Sequence, residues 1–169
     1  ELAKQHFGVA NADRAKIITD YEPALDEETS AERGVVVFKK VCANCHKVGE
    51  TGHSVGPDLA SVVNKSPRDL LIAMLDPNRE AQPNYTNYNV LLDDGRIVTG
   101  IIVDETADTI TLRRAEGKED VILRNQIDEL RSSGLSLMPV GLEKDITAQE
   151  MADVIAFIKS IPPKDAAGK

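Results

Sequence analysis

The sequence predicts an α+β protein that is mainly helical and carries a small antiparallel β-meander inserted between its helices. Apolar side chains recur at helical spacing in residues 27–41 and again in residues 147–161. Between these segments, from about residue 85 to residue 123, apolar and polar side chains alternate with a period of two, which is typical of strands. The chain is therefore expected to have helices towards both ends and strands in the middle.

The N-terminal segment is interpreted as an extension or linker from a preceding module. This segment covers residues 1–26 and contains a short helix at about residues 12–21, which Pro23 terminates. The next helix, at about residues 27–41, has small or apolar side chains on one face. These are Ala31, Gly34, Val35 and Phe38. A glycine lowers helix stability, so Gly34 either is tolerated or lets another helix approach closely.

Two further helices carry start signals in their sequences. Ser66 opens the sequence Ser-Pro-Arg-Asp, which predicts an N-cap and a helix that ends near Asp76. Thr147 and Glu150 have the spacing of a capping box at the start of the last helix. Two consecutive prolines end that helix, and residues 162–169 are predicted to form a flexible tail.

The middle of the chain is predicted to form four short strands. They lie at residues 88–92, 97–103, 109–113 and 120–123. The turn Asp93-Asp94-Gly95 separates the first two strands, which predicts a β-hairpin. After the fourth strand, residues 132–139 are predicted to form a polar, glycine-containing loop that leads to the last helix.

The composition limits the kinds of function that the chain can have. With 169 residues, of which 41% are hydrophobic, the chain suits one domain, alone or with an extension. The net charge of −8 gives no support to nucleic acid as a partner. No apolar run approaches the ~18 residues that a membrane span needs. Aromatic residues make up 4% of the chain, so something other than large rings is expected to fill part of the core.

The two cysteines lie in the sequence Cys42-Ala43-Asn44-Cys45-His46, a C-x-x-C-H motif. A disulfide across so short a loop would remove little chain entropy, and a zinc site would lack a second pair of ligands. A thioredoxin-like redox pair is expected after a strand, whereas this motif follows a predicted helix. Covalent attachment of a c-type haem uses both thiols and the adjoining His. The motif favours haem and leaves the other three kinds of site open.

A haem iron with one axial His has a sixth position that a Met, another ligand or water can take. Met74 and Met151 fall within predicted helices, where packing in the core is the ordinary expectation. Met138 lies in the predicted loop directly before a proline, which restricts its backbone. His53 follows His46 by seven residues on the same loop, and we expect it at the surface. Met138 is therefore the preferred candidate.

The order of these features resembles that of a class I cytochrome c. Over about residues 27–161 the chain has a helix, C-x-x-C-H, Gly-Pro-Asp-Leu, another helix, Met-Pro and a terminal amphipathic helix. In that family the first and last helices cross, and a glycine and an aromatic residue of the first pack on the last. The resemblance implies these roles for Gly34 and Phe38, with Val154 and Phe157 as their counterparts.

The resemblance also implies a set of site residues around one covalently attached haem c. Cys42 and Cys45 would carry the thioether bonds. His46 would be the proximal iron ligand, and Met138 the distal one. The carbonyl of Pro57 would accept a hydrogen bond from Nδ1–H of His46, which fixes the ring and increases its donor strength.

One departure from the class I pattern is large. His46 and Met138 are separated by 92 residues, and the β insertion at about residues 85–123 occupies the interval where class I proteins have a short helix and loop. This insertion is similar to that of the haem-binding cytochrome c domain at the C terminus of large planctomycete and verrucomicrobial proteins. That similarity implies a fused or partner dehydrogenase and leaves the partners of the haem propionates open. The candidates are Arg68, Asn84, Tyr85 and Tyr88.

The resemblance implies a domain that transfers one electron at a time and is not itself an enzyme. Its partner would be a redox protein, and the acidic net charge suits a partner with a basic patch. One alternative is a haem-based ligand sensor or peroxidase-like domain with a labile distal Met. Another gives the β insertion a docking role. Because covalent haem attachment takes place outside the bacterial cytoplasm, a periplasmic or equivalent compartment is expected, although the first residues lack the pattern of a signal peptide.

Overall fold

The structure is a computed structural model that describes residues 13–163 of the chain. These residues form two compact units. The helical unit contains residues 13–38, 60–79 and 140–163, and the sheet unit contains residues 39–59 and 80–139. The predicted α+β class is confirmed. Residues 1–12 of the predicted extension and residues 164–169 of the predicted tail lie outside the described residues.

The described part of the helical unit contains four α-helices. They are α1 (residues 13–21), α2 (Ala31–Val37), α3 (Pro67–Leu75) and α4 (Ala148–Ser160). The predicted caps are confirmed, since the Ser66 hydroxyl accepts a hydrogen bond from Asp69 N–H at 3.1 Å and the capping box of Thr147 and Glu150 is present. No helix within residues 13–163 is long and apolar enough to cross a membrane.

Helix α2 is shorter than the predicted helix at residues 27–41. It begins after Ser30, whose hydroxyl accepts a hydrogen bond from Arg33 N–H at 3.2 Å and so caps the first turn. The chain then continues as a wider π-helical turn at Phe38–Cys42. The first cysteine is therefore the last residue of a continuous helical segment.

The described part of the predicted extension, residues 13–26, is part of the helical unit. Helix α1 leads into a 3₁₀ turn at Glu22–Asp26. The hydroxyl of Tyr21 lies within hydrogen-bond distance of two carbonyl oxygens of the segment before α4, 2.9 Å from that of Ile146 and 3.1 Å from that of Glu143. Arg14 forms an ion pair with Glu143 at 2.8 Å.

Helices α2 and α4 pack closely because Gly34 has no side chain. A Cβ on Gly34 would overlap the backbone carbonyl oxygen of Asp153 and lie 2.9 Å from Cβ of Phe157. The rings of Phe38 and Phe157 are in contact, with centroids 5.3 Å apart and a tilt of 47°. The predicted contacts of Gly34 and Phe38 with the last helix are therefore confirmed, and Val154 is fully buried.

A buried carboxylate joins the same two helices. The Asp153 side chain is 2% exposed, and it accepts hydrogen bonds from Arg33 Nε at 2.6 Å and from the backbone N–H of Ser30 at 2.8 Å. Gln149 donates a further bond at 3.2 Å. Burial opposes ionisation of this carboxyl, but these hydrogen bonds outweigh burial, and the pKa of Asp153 is lowered. The carboxylate is therefore ionised at neutral pH.

We expect part of the stability of the helical unit to be lost in acid through Asp153. A carboxyl whose pKa is lowered in the folded state stabilises the protein above its unfolded pKa of about 3.9, and this contribution disappears as the pH falls further. Asp153→Asn should lower the free energy of unfolding at pH 7 by about 2 kcal/mol and flatten its pH dependence in acid. Urea unfolding of both proteins at several pH values measures this.

Asp20→Asn provides the matched control. Asp20 pairs with Lys16 on the surface of α1, with both side chains more than half exposed. Such pairs contribute about 0.3–0.5 kcal/mol, so this variant should keep the pH dependence of the parent protein. Equal pH profiles for Asp153→Asn and the parent would contradict the assignment of the acid effect to Asp153.

The sheet unit contains a five-stranded antiparallel sheet. Its strands are β1 (Thr86–Leu92), β2 (Ile97–Glu105), β3 (Thr109–Arg113), β4 (Glu119–Leu123) and β5 (Ile127–Ser136). Their order across the sheet is β4-β3-β2-β1-β5. One face carries the apolar core of the sheet, formed by Val90, Leu92, Ile110, Leu112 and Ile122. The four predicted strands and the hairpin between the first two are confirmed.

The prediction of a loop at residues 132–139 is wrong for residues 132–136. Residues up to Ser136 belong to β5, which pairs with β1 through Tyr88 opposite Ser132 and Thr86 opposite Ser136. The polar segment does not alternate in hydrophobicity, and the ladder with β1 supplies the hydrogen bonds that make it a strand. Consequently Met138 lies two residues beyond the end of a strand that is paired to β1, the first strand of the insertion.

Candidate functional site

The C-x-x-C-H motif forms a tight turn at the end of the helical segment Phe38–Cys42. The carbonyl oxygen of Cys42 accepts hydrogen bonds from Cys45 N–H at 3.0 Å and from His46 N–H at 2.9 Å. Both thiols are free and partly buried. The turn thus presents two thiols and an imidazole from a single backbone segment.

The imidazole of His46 is held in one orientation by Pro57. Its Nδ1 lies 2.9 Å from the carbonyl oxygen of Pro57, and because a carbonyl only accepts, Nδ1 carries the proton. The lone pair is therefore on Nε2. Burial lowers the pKa of His46, and the bond to Pro57 offsets this only in part, so the ring is neutral at pH 7. A neutral imidazole with Nε2 unprotonated is the form that binds metal.

The loop that carries Pro57 folds back onto the motif. The carbonyl oxygen of Cys45 accepts hydrogen bonds from Val55 N–H at 2.9 Å and from Gly56 N–H at 2.7 Å. A Cβ on Gly56 would lie 2.5 Å from Cε1 and 2.9 Å from Nδ1 of His46, and both distances are shorter than non-bonded atoms tolerate. A glycine is therefore required beside the ring, a role that the sequence did not reveal.

The acidity of the thiols bears on the thiol-redox alternative. Burial, together with the neighbouring Cys45, raises the pKa of Cys42 to about 11. Burial also raises the pKa of Cys45. Since the thiolate is the species that exchanges with disulfides, two protonated thiols are a poor redox pair at neutral pH. The environment of the motif thus disfavours thioredoxin-like chemistry.

Met138 belongs to the same unit as the motif. Its side chain is partly buried, and its N–H donates to the hydroxyl of Ser136 at 3.1 Å. The preceding residue, Leu137, donates its N–H to the carbonyl of Tyr85 at 2.9 Å. Met74 and Met151 are buried among apolar residues of the helical unit, and His53 is exposed, as predicted.

The candidate propionate partners have different surroundings. Arg68 lies in the helical unit and pairs with Glu22 at 2.7 Å. Asn84 and Tyr85 form part of a 3₁₀ turn before β1, and Tyr88 packs against the sheet core. The sequence did not single out Asn87 of β1, whose buried Oδ1 has no hydrogen-bond partner among the described residues. Such an amide remains available to a polar atom of a ligand.

The donor atoms of the sheet unit fit a haem c better than a bare metal ion. Among residues 13–163, no group of three or more His, Cys, Asp or Glu side chains could hold a metal ion. A haem needs two thiols three residues apart and an adjacent neutral imidazole, and Cys42, Cys45 and His46 provide them. The absence of a side chain on Gly56 leaves room for that imidazole, and the hydrogen bond to Pro57 keeps it in place.

A comparison with protein families agrees with this donor set. Residues 31–91 match the family model for cytochrome c. The cytochrome c match spans α2, the C-x-x-C-H motif, Pro57, α3 and most of β1. It supports a haem-binding electron-transfer domain of the class I kind, with covalently bound haem c as its cofactor and redox proteins as its partners. Met138 lies beyond the matched residues. No curated protein matches the chain significantly.

Proposed function

We propose that the chain is a monohaem c-type cytochrome domain that transfers single electrons with iron bound between His46 and Met138. The observation that carries the proposal is the hydrogen bond from His46 Nδ1–H to the carbonyl oxygen of Pro57. This bond leaves Nε2 unprotonated and able to bind iron, on the same segment as two free thiols. Cys42 and Cys45 form the thioether bonds of the haem. When bound, the haem supplies an iron that alternates between the ferric and ferrous states.

The role of Met138 is supported by the way its backbone is held. Two hydrogen bonds fix the segment just before it, one from Leu137 to Tyr85 and one from Met138 to Ser136. A thioether held in one place favours ferrous iron relative to a second imidazole, and it excludes water from the sixth position. The domain then carries electrons with little rearrangement and performs no catalysis by itself.

The wider setting of the domain is part of the same proposal. The β insertion between the motif and Met138 resembles that of the planctomycete and verrucomicrobial domains, and on this resemblance we propose a fused or partner dehydrogenase as the electron donor. Electron-transfer complexes of this kind bury little surface and dissociate readily. Because covalent haem attachment takes place outside the bacterial cytoplasm, the proposal includes a periplasmic or equivalent compartment.

Optical spectra of protein produced with c-type maturation machinery test the proposal. In alkaline pyridine the reduced, denatured protein should give the spectrum of a haem with two thioether bonds. The native ferric protein should show the red-region charge-transfer band of Met–iron ligation. Met138→Ala should abolish this band, because the other two described methionines, Met74 and Met151, are 7% and 0% exposed and packed in the helical core.

Met74→Leu is the control for the methionine experiment. Met74 is 7% exposed within α3, and a swap of similar volume there costs less than about 1.5 kcal/mol. The band should therefore remain. A band that survives Met138→Ala would exclude Met138 as the ligand. A parent protein with covalent haem and no band would favour the sensor or peroxidase-like alternative, and absence of covalent haem would overturn the cytochrome proposal.

A further inference from the structure

The β3–β4 turn (residues 113–118, including the last residue of β3) contacts the haem-attachment loop, the segment of residues 42–57 that would bind the haem. The backbone N–H of Glu116 donates to the carbonyl oxygen of Asn44 at 2.7 Å. Arg113, the last residue of β3, donates from Nη1 to the carbonyl oxygen of Ser54 at 3.0 Å. Gly117 lies against the ring of His53, where an added Cβ would be 3.3 Å from Nδ1. These contacts lie within the sheet unit.

The two carbonyls that the turn binds flank the proximal part of the site. Asn44 lies between the two thiols, and Ser54 lies just before the residues that bond to the carbonyl of Cys45. The segment between these two carbonyls contains His46. Holding both ends of the segment from one rigid sheet restricts how far His46 can move.

The backbone of the turn is in an unusual conformation that its contacts maintain. Glu116 has a φ of 64° and a ψ of 15°, a left-handed conformation that few residues other than glycine adopt. Its side chain pairs with Lys118 at 2.5 Å, and its N–H points at Asn44. Strained residues of this kind concentrate where a backbone group must be aimed at a functional site.

We propose that the β3–β4 turn, through Arg113 and the backbone of Glu116, positions the haem-attachment loop and thereby His46. This gives the β insertion a role on the proximal side of the haem. A segment that merely covered the haem would present apolar side chains, whereas the turn presents two directional donors to backbone carbonyls. The inference rests on the proposed function in taking His46 as the proximal ligand.

A matched pair of arginines tests the proposal in the haem-loaded full chain. Arg113 pairs with Glu119 and also bonds to Ser54, whereas Arg114 pairs only with Asp120 among the contacts described. Both substitutions to alanine therefore remove one positive charge and one exposed ion pair. Only Arg113→Ala removes a hydrogen bond to the attachment loop.

We expect Arg113→Ala to speed amide hydrogen exchange at Val55 and Gly56 by about two- to tenfold, the effect of one hydrogen bond. It should also shift the reduction potential relative to Arg114→Ala. Arg113→Lys keeps a donor and should restore both values towards those of the parent. Arg114→Ala should leave exchange at Val55 and Gly56 unchanged.

The outcomes separate this proposal from the proposed function. Equal exchange rates and potentials in the two alanine variants would overturn the positioning role, even if the parent shows the Met–iron band. Faster exchange in Arg113→Ala alone would support the role of the turn in holding the loop, even if Met138 proves not to bind iron. Failure of Arg113→Lys to restore either value would show that the bond to Ser54 is not the cause.

Discussion

Gly34→Ala is expected to lower the free energy of unfolding of the helical unit by about 3 kcal/mol, the upper end of the usual cost of overpacking. The added Cβ would overlap the carbonyl oxygen of Asp153 and press on Cβ of Phe157. A carbonyl in the middle of α4 cannot move without its helix, so α2 and α4 must separate. The ring contact between Phe38 and Phe157 would weaken as well. Urea unfolding followed by far-UV circular dichroism measures the loss.

The sign of this effect is informative because helix propensity acts in the opposite direction. In an isolated helix, alanine is more favourable than glycine by about 1 kcal/mol. Val36→Ala, on the same helix at a position 65% exposed, should change stability by less than about 0.5 kcal/mol. A Gly34→Ala protein as stable as the parent would mean that the two helices do not meet at this glycine.

Gly56→Ala is expected to displace the imidazole of His46. The backbone at Gly56 suits alanine, so the effect comes from the Cβ, which would lie 2.5 Å from Cε1 and 2.9 Å from Nδ1 of the ring. The ring is already bonded to Pro57 on its Nδ1 side and can escape only by giving up that bond or by tilting Nε2. An overpacking cost of about 1–3 kcal/mol would weaken His–iron ligation about 5- to 150-fold.

The spin state and the reduction potential of the haem-loaded protein report this displacement. We expect Gly56→Ala to convert a large share of the low-spin haem to high-spin haem and to shift the potential. Glu50→Ala is the control, since Glu50 is exposed on the same loop. A low-spin spectrum and potential in Gly56→Ala equal to those of the control would contradict close packing of Gly56 on the ring. Covalent attachment through Cys42 and Cys45 should persist in both variants.

The parts of the fold that were predicted from the sequence depend on contacts close along the chain. The caps at Ser66 and Thr147 bond to backbone groups three residues away, so the sequence around each cap is sufficient to predict it. Strands β1 to β4 follow one another through short turns and alternate in hydrophobicity. The start of α2 was placed about four residues too early, because the polar residues 27–30 were included and the cap at Ser30 was not recognised.

Strand β5 shows why other parts could not be predicted. The segment from Ser132 to Ser136 contains serine and glycine and has no alternating pattern, so by itself it indicates a loop. It is a strand because β1, more than 40 residues earlier in the sequence, presents a free edge to it. Edge pairing depends on backbone groups of both strands and leaves little trace in either sequence.

By itself, the sequence determined the candidate chemistry of this protein: two thiols and an imidazole in C-x-x-C-H, a carbonyl at Pro57 and a thioether at Met138. The thiols and the imidazole are recognisable because their spacing along the chain is itself the chemical requirement. The Pro57 carbonyl was identified through the resemblance to class I cytochromes c, and Met138 through its position in a predicted loop and the same resemblance. The tertiary structure alone decided that Gly56 packs on the imidazole, that Arg113 and Glu116 reach the attachment loop, and that β5, which ends two residues before Met138, pairs with β1. Gly56 meets the His46 ring because the loop between them folds back on itself, and the other contacts join residues far apart in sequence, whose distances only the folded sheet sets.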